Sequence, residues 1–446
     1  MNLKERYPTH EKDIQALRYY INVLLLYLKY LRIWREDDFS SNFTNLVVTG
    51  IIAVLLIGTF LLITAEFLSA VYDFNVQRFV NIISSMSLHV SGFVKWIFCL
   101  TRCKDIAVLL GKLNKCHLLC IRIANNEEVS WKLMVFEKLM RQARLYSIIF
   151  LFTWNFVFVY GVTHWCLNPI LVKLLLRDRE HGSLNMSTVA MNMVPFIGWY
   201  PWDITYSSFY VCTYLLQVIG AMGSALGAMS IDIFYVTVLL VIIAEFQYLN
   251  LSLRNEVDNG ASFREQGKEL DLHVKLRSCV VFHSEVTKLI AELEVLVSPV
   301  MFVQCIKTLI VICLLSLEAS TIVITLDIEC MMKIWSMVEY FLAAATQLYI
   351  FCFCATKIRF QSLIVADSVY LCGWENAMCI KNEKAETDRI ILRNIKHLVQ
   401  RIIVRARKPI ILTGGPFYEL SLETFKAIIG MAISNSIILR QVSEMD

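Results

Sequence analysis

Long runs of apolar residues recur along the chain, and polar residues gather between them. An α-helix needs about 20 apolar residues to cross a bilayer, so the pattern predicts seven transmembrane helices. Their predicted ranges are roughly 44–67, 79–100, 145–170, 207–247, 297–326, 335–356 and 424–441. We therefore predict an all-α integral membrane protein, in which the second and seventh spans are the most weakly marked.

The composition supports a membrane protein and excludes several other classes. Hydrophobic residues make up 57% of the 446-residue chain, above the 45–50% typical of soluble proteins. A net charge of +4 is too small to indicate a nucleic-acid partner. The 14 cysteines follow no metal-ligand spacing, no catalytic motif occurs, and the histidines lack metal-binding intervals. We expect no enzyme, no cofactor and no metal site.

The distribution of Lys and Arg predicts the orientation of the helices. Of 42 such residues, 33 lie in four alternate segments and only six in the segments between them. The rich segments are 1–43, 101–144, 248–296 and 357–423. Positive charge favours the cytosolic side, which predicts a cytosolic N-terminus and an extracellular C-terminus. G-protein-coupled receptors have the opposite arrangement, so the charge pattern argues against that class.

The last forty residues contain an apolar helix with a polar interruption. Ser421 is a plausible N-cap, and Glu423 lies in the favourable first turn. Within the apolar run, Ser434, Asn435 and Ser436 need polar partners that lipid does not offer. The pattern fits either a helix buried among others or a helix that lines water.

Several segments predict helical structure in the cytosol. Residues 1–43 contain an amphipathic pattern with basic flanks, and residues 388–408 carry the stripe Ile391, Ile395, Leu398, Ile402 and Arg405. The fourth span is too long for one bilayer, since Asp232 lies roughly 38 Å along the helix from its outer end at about 1.5 Å per residue. We expect Asp232 to be interfacial and the apolar residues beyond it to join a cytosolic bundle. That bundle suits either the fold of one chain or subunit assembly.

The longest external loop ends in a cluster of aromatic residues, comprising Phe196, Trp199, Tyr200, Trp202 and Tyr206. The cluster fits an interfacial aromatic belt or a cover over a ligand pocket. Asn185 begins a glycosylation sequon on the same predicted side.

Two stretches carry a resemblance to a known family. The segments 346–374 and 401–441 resemble the C-terminal signature of insect odorant receptors, and 199–203 with Gln217 resembles that family's second external loop and fourth span. The matching positions in the two stretches are Ser362, Ala366, Tyr370, Trp374, Arg405, Pro409, Leu420, Ser421, Glu423, Thr424, Phe425 and Leu439. The chain departs from the family pattern at 430–435, where a Tyr-Ser pair is usual.

The resemblance implies a subunit of a tetrameric, odorant-gated, non-selective cation channel in the plasma membrane of an olfactory neuron dendrite. The implied partners are coreceptor subunits, a small volatile odorant, membrane lipid and permeating cations. A connection of only about 45 residues between spans four and five resembles a tuning subunit, because the coreceptor has a much longer one. The implied organisation is a cytosolic segment 1–43, spans and pocket in 44–356, a cytosolic anchor 357–423, and a pore helix with tail in 424–446.

Site residues follow from the same resemblance. Ile438 and Val442 would form the constriction of the pore, with Gln441 beside them. The implied odorant pocket comprises Ile83, Met86, Phe156, Tyr160, Phe209, Tyr210, Thr213, Tyr340 and Ala344. Aromatic stripes of this kind also fit ordinary helix packing. A gustatory-type receptor, acting without the olfactory coreceptor, is the alternative function.

Overall fold

The computed structural model describes residues 16–34, 42–72, 76–125, 130–176, 194–204, 206–258, 268–321, 328–375 and 386–443. The helices are α1 (Arg18–Tyr30), α2 (Asn42–Tyr72), α3 (Val76–Thr101), α4 (Cys103–Asn125), α5 (Ser130–Leu176), α6 (Ser207–Asp258), α7 (Lys268–Thr321), α8 (Ile328–Tyr370), α9 (Glu386–Ala406) and α10 (Leu422–Ser443). A two-stranded antiparallel hairpin, β1 (Thr413–Gly414) with β2 (Tyr418–Glu419), precedes α10.

The seven predicted spans correspond to α2, α3, α5, α6, α7, α8 and α10. The first six of these helices are long and apolar enough to cross a membrane. The seventh, α10, is a 22-residue helix over the predicted last span. The end of the predicted fifth span, beyond Thr321, lies outside the described residues.

Helix α6 is the centre of the assembly. It packs against α2, α3, α5 and α8, which is why almost every side chain between 224 and 246 is buried. Glycines allow α3 and α6 to touch: a Cβ on Gly92 would lie 2.0 Å from the Ser224 carbonyl oxygen, and one on Gly227 would lie 2.4 Å from the Gly92 carbonyl oxygen. The two backbones therefore meet without intervening side chains.

Several helices extend far beyond a bilayer. Helix α7 has 54 residues, or roughly 80 Å at about 1.5 Å per residue, against about 30 Å of hydrocarbon. At one end of the bundle, α4 and α9 pack along the α7 extension. The buried stripe of α9 is Ile395, Val399, Ile402 and Ala406. The predicted stripe was therefore wrong at Arg405, which is exposed, because the contacting face follows Ala406 instead.

The hairpin attaches the start of α10 to α7. The Gly415 backbone N–H donates to Ser298 Oγ at 2.8 Å, and Thr413 Oγ1 donates to Glu294 Oε1 at 2.6 Å. Helix α10 then begins after Ser421, whose Oγ accepts the Thr424 N–H at 3.1 Å. The predicted N-cap is confirmed.

Candidate functional site: an enclosed cavity and an adjoining groove

A cavity of about 80 Å³ lies between five helices, near the end of the bundle that residues 194–204 cover. One water-sized group needs roughly 10–15 Å³ of such volume, so the cavity has room for about five to eight non-hydrogen atoms. Its lining is Ser85, Leu88 and His89 of α3; Trp154, Val157, Phe158, Gly161, Val162 and Trp165 of α5; Phe196; Ala221 of α6; Lys307 of α7; and Glu339, Tyr340, Ala343, Ala344 and Gln347 of α8. Such a mostly apolar lining with a few polar groups is typical of sites for small organic ligands.

Phe196 closes one side of this cavity. Its ring is 5% exposed, stacks on Trp165 with ring centroids 6.1 Å apart, and meets His89 edge-on at 4.7 Å. Gln217 of α6 holds the backbone of Phe196 at both polar groups: its Oε1 accepts the N–H at 3.0 Å and its Nε2 donates to the carbonyl at 2.8 Å. For Phe196, the structure therefore favours a cover over a pocket rather than an interfacial belt.

The other loop aromatics are fixed beside it. Gln217 Nε2 also donates to the Tyr200 hydroxyl at 2.9 Å, and Trp202 Nε1 donates to Thr213 Oγ1 at 2.8 Å. Trp199 and Trp202 are still 42% and 36% exposed. The loop thus combines a buried anchor with an exposed aromatic rim.

Most polar side chains of the cavity have partners away from it. The Tyr340 hydroxyl donates to the Ser84 carbonyl at 3.1 Å, so the ring lines the cavity while the hydroxyl binds α3. Ser85 Oγ donates to Glu66 Oε1 at 2.7 Å, and His89 Nδ1 lies 2.9 Å from Glu66 Oε2. This buried Ser-Glu-His group ties α2 to α3 and orients the His89 ring.

A buried polar chain begins at Gln347, which lines the cavity. Gln347 of α8 donates to Asp232 Oδ2 at 2.5 Å, and Lys95 Nζ donates to Asp232 Oδ1 at 2.8 Å. Gln347 Oε1 in turn accepts from Gln304 Nε2 of α7 at 2.6 Å. The sequence predicts Asp232 at the interface and not as a buried ionic site, and the second part of that expectation is wrong, because Asp232 is 0% exposed and pairs with Lys95. Depth along α6 could not show that charged and amide groups of two other helices face this carboxylate and offset its desolvation.

A larger groove of about 910 Å³ runs along the outside of the bundle between α5 and α8, with α6 as its base. Phe156 and Tyr160 line this groove and are 69% and 41% exposed. The groove and the cavity share four lining residues, namely Trp154, Val157, Glu339 and Ala343. The wall between the two spaces is therefore a single layer of side chains.

Two polar contacts join α5 to α8 at one end of the groove. Trp335 Nε1 donates to the Tyr160 hydroxyl at 3.2 Å. His164 Nδ1 lies 2.9 Å from Glu339 Oε2. Glu339 lines both the groove and the cavity. The two contacts therefore lie at the end of the groove that is next to the cavity.

The nine predicted pocket residues fall into three groups. Tyr340 and Ala344 line the cavity, and Phe156 and Tyr160 line the groove. The other five, which line neither space, are Ile83, Met86, Phe209, Tyr210 and Thr213. Thr213 is fully buried but serves the loop through Trp202.

The remaining predicted sites fall outside the description. Ile438, Gln441 and Val442 belong to α10, but their side chains are not among the described ones, and Asn185 lies outside the described residues. Nearer the start of α10, Ser434 and Asn435 are exposed on the isolated chain.

Sequence reasoning missed most of the cavity lining. His89, Lys307 and Glu339 are ionisable residues inside apolar runs, and that rarity was a usable signal. Trp165 and Gly161 carry no such signal, since apolar and small residues occur throughout membrane helices. Phe196, in contrast, belongs to the aromatic loop cluster that the sequence already offered as a cover over a pocket. Among the described residues, no cluster of His, Cys, Asp and Glu suits a metal ion.

A family model described as 7tm Odorant receptor matches residues 75–433, most of the chain. The chain belongs to the odorant receptor family. Odorant receptor Or2 of Anopheles gambiae is 22% identical over 241 residues, which cover 54% of this receptor and 58% of Or2. The odorant receptor coreceptor of Aedes aegypti is 21% identical over 189 residues, which cover 42% of this receptor and 36% of the coreceptor. The match thus covers less than two thirds of the length of each of these two curated relatives.

A solved structure shows the same fold. The insect olfactory receptor OR5 from Machilis hrabei, determined in complex with eugenol, aligns with 96% of this receptor and 100% of its own chain at a TM-score of 0.71 and 15% identity. The predicted all-α fold with seven membrane helices is confirmed. These relatives are receptors, so the expectation that the chain is not an enzyme is confirmed as well.

Proposed function

We propose that this receptor is the odorant-binding subunit of a heteromeric, ligand-gated, non-selective cation channel in the plasma membrane of olfactory neurons. The observation that carries the proposal is the cavity of about 80 Å³, which lies between five helices and is covered on one side by Phe196. A small volatile molecule suits such a space, because most of its favourable binding free energy comes from burying apolar surface.

A continuous set of contacts leads from the cavity toward α10. Gln347 lines the cavity and binds Gln304 of α7. Less than two turns before Gln304, Ser298 of the same helix binds the hairpin that precedes α10. Helix α7 also packs along α10. A ligand that binds more tightly to one position of α8 would thereby also favour one position of α7 and of the base of α10. Gating requires such a difference in ligand affinity between two states of the protein.

We place the pore along α10, with Ile438 and Val442 as an apolar constriction and Gln441 beside it. The exposed Ser434 and Asn435 support this assignment, since polar side chains on a membrane helix favour a water-lined face over lipid. Opening would widen and wet the constriction. The long α7 and α8 extensions with α9 would serve as the anchor between subunits in a tetramer that includes the coreceptor.

The test is expression of this chain in a cell without olfactory proteins, alone and with an insect coreceptor, followed by whole-cell recording during a panel of volatile compounds. We expect odorant-evoked current with a reversal potential near zero only when the coreceptor is present. Current from the chain alone would favour the gustatory-type alternative. Reversal potentials that do not respond to Gln441→Lys would contradict the assigned pore.

A further inference from the structure

The groove between α5 and α8 lies on the outer surface of two helices that are long and apolar enough to cross a membrane. Its lining includes strongly exposed apolar side chains, such as Phe156 at 69% and Leu342 at 56%. On α8 the lining runs from Trp335 to Lys357, a rise of roughly 33 Å at about 1.5 Å per residue, similar to the hydrocarbon thickness of about 30 Å. The groove is therefore open to apolar molecules dissolved in the bilayer.

Only one layer of side chains separates this groove from the cavity. Trp154 and Val157 of α5 and Glu339 and Ala343 of α8 line both spaces. Ala343 contributes a single methyl group to that layer. A small separation of α5 from α8 would join the two spaces without unfolding either helix.

The side of the cavity at Phe196 is more firmly closed. There Phe196 is 5% exposed, and Gln217 holds its backbone with hydrogen bonds to both the N–H and the carbonyl. Between α5 and α8, the contacts at the groove are the side-chain pairs Trp335 with Tyr160 and His164 with Glu339. Rotamer changes release side-chain pairs of this kind faster than a backbone segment can detach.

We propose that the odorant reaches its cavity from the membrane, through the groove between α5 and α8. The inference rests on the proposed function, because it assumes that the cavity is the odorant site. Volatile apolar molecules partition into hydrocarbon, so the bilayer would concentrate the ligand at the groove. The two side-chain pairs then act as the closure of the route.

The test blocks the groove without touching the cavity. Two exposed threonines line the groove but not the cavity, namely Thr153 of α5 and Thr346 of α8. We would make Thr153→Trp and Thr346→Trp, with Thr163→Trp as the matched control, because Thr163 is an exposed threonine of α5 that lines neither space. Each variant would be co-expressed with the coreceptor and recorded during rapid application and removal of an odorant that activates the unmodified receptor.

A blocked route changes rates but not the binding equilibrium. Both groove variants should slow the onset and the decay of current by about tenfold or more, with the half-maximal concentration and the saturating current retained. The control should show unmodified kinetics. Three results would each overturn the proposed route. They are unchanged kinetics in both groove variants, equal slowing in the control, and a shifted half-maximal concentration with unchanged rates. Absence of odorant-evoked current from the unmodified receptor would instead contradict the proposed function.

Discussion

Neutralising Asp232 should be among the most damaging single changes to this receptor. Its carboxylate lies 2.8 Å from the Lys95 ammonium group, and both side chains are buried. At an effective dielectric constant of about 20, the Coulomb attraction at that separation is about 6 kcal/mol, most of which offsets desolvation. Removing one partner of such a pair typically costs about 3–5 kcal/mol, because the other charge stays buried. Native domains have a total stability of only about 5–15 kcal/mol.

The structure also predicts an asymmetry between the two partners. Lys307 interacts electrostatically with both Lys95 and Asp232. Asp232→Asn would leave the buried Lys95 ammonium group without its carboxylate, whereas Lys95→Met would leave Asp232 with the hydrogen bond from Gln347 and the attraction of Lys307. We therefore expect a larger loss of stability for Asp232→Asn, and a partial recovery when Lys95→Met is added to it.

The assay is the temperature at which a fluorescently tagged chain, co-expressed with the coreceptor and extracted in detergent, loses its monodisperse chromatographic peak. Glu292→Gln is a suitable control, since its pair with Lys112 is about half exposed and surface pairs contribute only about 0–1 kcal/mol. The reasoning fails if Asp232→Asn melts like the unmodified receptor, or if the double variant shows the simple sum of the two single losses.

Three further changes test the packing, the cover and the last helix. Gly92→Ala places a Cβ 2.0 Å from the Ser224 carbonyl oxygen and should abolish surface expression. The control Gly50→Ala should be tolerated, because its Cβ has no other atom within 4 Å. Equal expression of the two variants would contradict the close contact between α3 and α6. Gln217→Leu removes both hydrogen bonds to the Phe196 backbone. Each buried group left unpaired costs about 1–3 kcal/mol, so the half-maximal odorant concentration should rise at least tenfold. An unchanged dose response would show that the cover does not depend on this residue. Ser421→Ala removes the N-cap of α10 and should cost about 1 kcal/mol, seen as a slightly lower melting temperature, and no change would mean that the cap is dispensable.

Local patterns predicted the helices well, because membrane helices need long apolar runs whatever their neighbours are. The N-cap at Ser421 and the buried positions Ile395 and Ile402 of α9 follow from spacing alone. The exposure of Asp232 could not be predicted in that way. It depends on Lys95 and Gln347, which are distant in sequence and face it only after α3, α6 and α8 have packed.

The cavity shows the same limit. Its ring of residues comes from α3, α5, α6, α7, α8 and one loop residue, so no single stretch of sequence contains it. Tyr340 and Ala344 of the predicted pocket line the cavity, but the sequence could not show which face of each helix turns inward. Phe209 and Tyr210 lie on the same helix as Ala221, yet they line neither the cavity nor the groove.

The attachment of the hairpin to α7 has a consequence for the speed of the response. Gln304, which reaches the cavity through Gln347, and Ser298, which holds the hairpin, lie on one continuous helix. A signal between them needs no segment to become ordered and no domain to rotate. Small shifts of packed helices occur in microseconds to milliseconds. In the proposed channel, the delay between the arrival of a molecule at the cavity and the first ionic current should be set by that interval.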